Sequence, residues 1–320
     1  LHVKRHSFPT RRSSDLGVPR FVELKGGLAG ICGRTAAGAV LCWANAPGEP
    51  LFREPKELPT AGVAAIAVAR AHYTLTVGGT LASHNHGETF VIGELGDLSK
   101  ARSIKLSANV FALNGARELV CAQIDDGARC FQYSISFPQN YAVEQMSIPG
   151  PFERLVVGPS IAVQRSGGRI DFLNSWPDKW RERSSWLLFN DLNGNEPLDP
   201  APLRRQGPAR LVESESGIEV VVNDKAFECH FRTVVVNPTF QCRPWSVQAP
   251  DAVEVVGQYT LVPGRAAGRF DLVGRAPPNG EIGPLVRDVM AAVDRGGALQ
   301  FLTATGEVRF ANVEALWSRE

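Results

Sequence analysis

One stretch of this chain occurs twice. Val156-Val157-Gly158, followed further on by Arg169-Ile170-Asp171-Phe172-Leu173, returns as Val255-Val256-Gly257 and Arg269-Phe270-Asp271-Leu272-Val273 with a one-residue gap. The same skeleton, an apolar strand, a Gly turn and a second strand ending in an aromatic, recurs over 22–45, 66–85, 119–133 and 289–312, with a weaker copy over 211–231. The hairpin turns fall at Gly38, Gly78, Gly127, Gly168, Asn223-Asp224, Gly268 and Gly306, a spacing of about 45 residues. A unit of that size made of short strands buries its faces only against neighbouring units. Radial repetition does this while leaving few exposed edges. The sequence therefore predicts an all-β fold, a seven-bladed β-propeller built from repeats of about 45 residues.

Local signals agree. Gly 31 and Pro 22 punctuate the 320 residues too often for long helices. Ile218, Val220 and Val222 alternate, and the run Val63 to Val68 is apolar throughout, as in strands covered by flanking sheets. The strongest competitor is 285–293, where Val286, Met290 and Val293 have helical spacing, but its place in the repeat argues for strand. No apolar run approaches the ~20 residues needed to cross a bilayer, so no membrane span is expected.

The first unit reads Cys32, Gly38, Cys42-Trp43-Ala44-Asn45 and Gly48, and the third reads Cys121-Ala122, Asp125-Asp126-Gly127 and Cys130-Phe131. These units resemble the regulator-of-chromosome-condensation repeat, in a bacterial-type form with Cys pairs. His72-Tyr73-Thr74-Leu75 with Gly78, and Leu302, Gly306, Val308 and Asn312, fit more loosely. The resemblance covers most of 20–313. It implies a seven-bladed propeller, with binding rather than catalysis as the general role.

The six cysteines fall into three close pairs, Cys32 with Cys42, Cys121 with Cys130, and Cys229 with Cys242. In the first and third units they sit on successive strands of one hairpin, where side chains can face each other. A bridge closing about ten residues contributes roughly 3 kcal/mol in the loop-entropy picture. Small apolar thiols packed between blades are the competing reading. Disulfides at all three pairs are expected, and they place the chain in an extracytoplasmic setting: secreted, periplasmic or surface-anchored. No two cysteines lie at zinc-ligand spacing, so no metal is expected there.

Other chemistry is sparse. His84-Asn85-His86 with Glu88 reads as an inter-strand turn, and 191–196 reads as a polar turn because Glu196 occupies the place a calcium loop reserves for Gly. Cys229 and His230 are strand neighbours and point to opposite faces. Asp171 and Asp271 hold equivalent repeat positions, which suggests a structural turn or rim role. No nucleophile elbow, phosphate loop or dinucleotide fingerprint occurs. No cofactor is expected, and no enzyme activity. The alternative is a glycan-active enzyme with carboxylates gathered over the propeller channel.

The longest break with the repeat is an insertion at 174–207. It carries Trp176, Trp180 and Trp186 interleaved with Lys179, Arg181 and Arg183. Trp and Arg are enriched at interface hot spots, so Trp176, Trp180, Arg181, Arg183 and Trp186 are the candidate protein-binding surface. Residues 6–16 resemble the conceptual translation of a sequencing-adapter oligonucleotide, so 1–16 are read as artefactual and disordered, and 17–320 as a single propeller domain. The signal region is then expected to be missing from this fragment. Without the net +3 of 1–16, the +1 of the whole chain becomes −2, which argues against a nucleic-acid partner. The expected partner is a protein, bound by a monomer.

Overall fold

The computed structural model describes residues 11–12, 19–43, 55–85, 87–110, 117–125, 127–134, 144–158, 161–166, 170–173, 210–214, 218–222, 225–232, 239–245, 253–256, 259–274, 284–295 and 298–312. All regular structure in them is strand, with no helix. After the short β1 (Arg11–Arg12) come antiparallel meanders in chain order. The first is β2 (Phe21–Gly27), β3 (Gly30–Thr35), β4 (Val40–Trp43) and β5 (Lys56–Glu57). The second is β6 (Val63–Val68), β7 (His72–Thr76), β8 (Thr80–Asn85) and β9 (Glu88–Glu94). The third is β10 (Ile104–Val110), β11 (Arg117–Ile124), β12 (Gly127–Ser134) and β13 (Glu144–Ile148). A three-stranded sheet follows, β14 (Arg154–Val157), β15 (Ile161–Gln164) and β16 (Ile170–Leu173).

The remaining strands are β17 (Arg210–Ser214), β18 (Ile218–Val222), β19 (Lys225–Arg232), β20 (Thr239–Trp245), β21 (Glu254–Val256), β22 (Tyr259–Pro263), β23 (Phe270–Gly274), β24 (Pro284–Arg295), β25 (Ala298–Thr303) and β26 (Val308–Asn312). The repeat predicts separate blades here, yet these strands join β1 in one eleven-stranded sheet. Two features fuse them. Strands β17 and β21 pair in parallel, with Glu213 opposite Glu254. Strand β24 pairs with β23 at its start and β25 at its end, because no turn interrupts its twelve residues. Within it Asp288 takes a left-handed φ of 62°, the register slips, and Asp271 Oδ1 accepts the Asp288 N–H at 3.2 Å. The segment with helical spacing, 285–293, is thus strand, and Asp271 holds a strand irregularity rather than a turn.

The first strands form a closed ring of neighbours: β2 touches β6, then β10, β14, β17, β21 and β24 follow, and β24 returns to β2. The arrangement is of the propeller type. Its core lies between sheets. Cys32, Val40, Cys42, Val63, Ile66 and Val68 pack the first sheet on the second. Tyr73, Leu75, Leu81, Leu106, Val120 and Phe131 do so for the second and third. At the closure Phe21, Leu24, Ile31 and Trp43 meet Val293, Leu302 and Val308, with Phe21 edge-on to Trp43 at 5.6 Å. Each cluster removes apolar surface that a lone meander would expose.

Two turn glycines make the same contact at two joints of the ring. Val63 N–H donates to Gly38 O at 3.2 Å between the first two sheets, and Phe21 N–H donates to Gly306 O at 2.8 Å across the closure. Both glycines have left-handed φ, 84° and 81°, and an added Cβ would lie 2.8 Å from Val63 N or from Phe21 O. A left-handed conformation costs a side-chain-bearing residue about 1–2 kcal/mol, and the backbone clash adds to this. Gly306→Ala and Gly38→Ala should therefore each destabilise by about 2 kcal/mol or more, read as a lowered urea midpoint; unchanged midpoints would contradict this account of the joints.

A charged cluster on the inner face

Strand alternation places charge at the inner face of the ring. In five first strands a buried apolar residue adjoins a charged residue, which therefore points the other way. These neighbours are Leu24 with Lys25, Leu106 with Lys105, Leu155 with Arg154, Val212 with Glu213, and Val255 with Glu254. Lys105 Nζ lies 2.8 Å from Glu213 Oε2, and an Arg154 Nη donates to Val253 O beside Glu254. Glu23 faces Arg34 at 2.8 Å. The Lys105 and Glu213 side chains keep 37% and 21% of their surface open, so water reaches a cluster that protein surrounds.

The electrostatics divide the two carboxyls. Burial pushes Glu213 up, but Lys105, Lys25 and Arg154 together outweigh it and hold the carboxyl well below its ordinary range. Burial, joined by the negative Glu213, pushes Glu254 above its ordinary range. Burial also pulls Lys25 down, yet Glu213, Glu254 and Glu23 together outweigh it and hold the ammonium above its ordinary value. Three cations thus serve two carboxyls, whose proton affinities are pushed in opposite directions.

The charge division has opposite pH consequences. Glu213, depressed when folded, stabilises the fold above the unfolded carboxylate range, and that stability is lost as pH falls. Glu254, raised when folded, contributes stability at low pH that is lost as pH rises through its folded pKa. Glu213→Gln should cost about 1–3 kcal/mol at neutral pH, a figure reduced from a fully buried pair because both partners are partly open. Glu254→Gln should gain on wild type in melting temperature as pH rises from 4.5; parallel pH profiles for the two proteins would refute the assignment.

His84 sits elsewhere than its sequence pattern suggests. It lies inside β8, 5% exposed, and not in the turn. Thr74 Oγ1 is 2.8 Å from its Nε2 and Thr89 Oγ1 3.0 Å from its Nδ1. Burial first, and then the facing His72, lower its pKa to about 4. Between pH 6.5 and 4 the unfolded chain therefore takes a proton that the native ring refuses, so stability falls as pH drops through that window. His84→Gln should lose less melting temperature than wild type between pH 7 and pH 5; an equal loss would place the acid sensitivity on another group.

Two cysteine pairs are disulfides, Cys32–Cys42 across β3–β4 and Cys121–Cys130 across β11–β12, with Cα atoms 4.1 and 4.0 Å apart. Cys229 and Cys242 are backbone register partners across β19–β20, and their side chains lie outside the described residues. The candidate binding residues Trp176, Trp180, Arg181, Arg183 and Trp186, the turn at 191–196 and His86 also lie outside them. One group of ligand-type side chains comes together among the described residues: Cys32, Cys42 and His72, with ligand atoms within 4.8 Å of one another. The inner-face cluster escaped sequence reading. Its signal was one charged residue beside a buried apolar one in several first strands, which becomes informative only when those strands are aligned around a ring.

No protein-family model matches the chain, and no curated protein matches it. Solved structures similar to it include the AfRom2 CNH domain, with TM-score 0.46 and 12% identity, covering 91% of this chain and 93% of that one. Sqt1 from Saccharomyces cerevisiae has TM-score 0.43 and 12% identity, with 92% and 83% covered. BamB from Moraxella catarrhalis has TM-score 0.40 and 12% identity, with 89% and 84% covered. No helix among the described residues is long and apolar enough to cross a membrane.

Proposed function

We propose that the chain is a seven-bladed propeller acting outside the cytoplasm as a non-enzymatic, monomeric scaffold that binds a protein partner. The observation that carries this reading is the pair of disulfides buried between sheets, because structural disulfides persist where thiols are not held reduced. A ring closed by apolar clusters and stapled hairpins is a rigid frame, and rigid frames carry binding segments on their connections. The cations interleaved with Glu213 and Glu254 favour an internal ion network over a catalytic pair. The binding surface in this reading is the insertion at 174–207, where Trp and Arg, the residue types of interface hot spots, alternate.

The test starts from the full oxidised chain used as bait, followed by affinity measurement on the captured protein. Trp176→Ala, Trp180→Ala and Arg183→Ala should each weaken that complex by about 1–3 kcal/mol and leave the melting temperature nearly unchanged. A melting temperature several degrees lower with unchanged affinity would make the insertion structural cover instead.

One observation favours a second reading. Burial and Glu213 push Glu254 above the ordinary carboxylate range while neighbouring cations hold Glu213 below it, the direction of divergence between a general acid and its partner carboxylate in glycoside hydrolysis. Turnover of a chromogenic glycoside panel that disappears in Glu254→Gln would establish it, and no turnover by wild type would remove it.

A further inference from the structure

The two disulfides occupy equivalent hairpin positions but unequal surroundings. Around Cys121–Cys130 the packing is apolar, from Leu119, Ile148, Leu155 and Ile161. Beside Cys32–Cys42 the next sheet contributes His72 from β7, with a ring nitrogen and both sulfurs inside 4.8 Å of one another. We propose that Cys32, Cys42 and His72 form a redox-gated site that binds one Zn2+ when the two cysteines are thiols.

The geometry suits that ion. Tetrahedral zinc with Zn–S of about 2.3 Å and Zn–N of about 2.0 Å needs sulfurs about 3.8 Å apart and a nitrogen about 3.5 Å from each. Once the S–S bond is cut, rotation about Cα–Cβ in residues that face each other across β3–β4 supplies the separation. Two thiolates and a neutral imidazole cancel the charge of Zn2+, which suits the surrounding Val40, Val63 and Ile66. His84 does not compete, since Thr74 and Thr89 hold its two ring nitrogens. The fourth position is left to water, reached from the half-buried His72 side.

The redox balance is complete with a phosphine reductant. The phosphine gives two electrons to the disulfide and takes the oxygen of a water molecule, becoming its oxide, while the two protons of that water complete the two thiols. Metal binding then releases two protons. The bound ion would tie β3 and β4 to β7 of the next sheet and hold Cys32 opposite Cys42 before oxidation. An oxidising disulfide later removes two electrons, closes the S–S bond and expels the zinc.

Cobalt, which reports thiolate ligation by its absorption, is titrated into the full chain carrying Cys121→Ser, Cys130→Ser, Cys229→Ser and Cys242→Ser, so that only the first pair contributes. Reduced protein should show a sulfur-to-cobalt charge-transfer band saturating at one equivalent and displaced by Zn2+. Oxidised protein should show none. His72→Ala should weaken binding by about tenfold or more and shift the visible bands, because a nitrogen ligand has gone. Zinc content of wild-type chain folded in a reducing cytosol gives a second readout, expected near one per chain and absent in Cys42→Ala. The proposal is overturned by no band in folded reduced protein, by the same band and affinity in His72→Ala, or by a reduced chain that stays unfolded with Zn2+ present, since the site needs both sheets assembled.

Discussion

The contact between the last first strand and the first one governs this molecule. Among the described residues the sheets cover one another's apolar faces, so an open row would leave the two end faces in water. Closure removes both. Phe21, Leu24, Ile31 and Trp43 from the start of the chain take Val293, Leu302 and Val308 from its end, and Phe21 N–H bonds to Gly306 O. That hydrogen bond repeats the one between Val63 and Gly38, so the join between chain ends uses the same geometry as a join between neighbours. Two joints of the ring, one of them its closure, are therefore built alike.

Closure also creates the inner-face cluster. Once the first strands stand side by side, whatever they point inward is held together at the cost of desolvation, and unpaired charges there would be expensive. Lys25, Lys105 and Arg154 stand against Glu213 and Glu254, and burial, joined by the negative Glu213, lifts Glu254. The parallel pairing that puts Glu213 opposite Glu254 also fuses sheets that the repeat treats as separate.

The cysteines show how one repeat position takes different roles from its neighbours. Cross-strand register makes each disulfide, but the adjoining sheet decides what else lies beside the sulfurs. That is His72 in one case and aliphatic side chains in the other.

Much of the architecture was legible in the chain alone, because it depends on short-range pattern. Gly38, Gly268 and Gly306 mark hairpins, apolar runs mark covered strands, and Cys32–Cys42 and Cys121–Cys130 follow from paired positions on one hairpin. Helical spacing at Val286, Met290 and Val293 lost to the repeat, and within β24 Val289, Ala292 and Val293 are buried. The site was not legible. Lys25 and Glu213 are far apart in sequence, and nothing local says they share an inner face. His84 read as a turn residue because its burial comes from Thr74 and Thr89 on neighbouring strands. Sequence determined which residues turn and which pair within a hairpin, because those choices depend on backbone conformation over a few residues. Only tertiary structure decided which charges meet, because that depends on how the separate sheets stand around the ring.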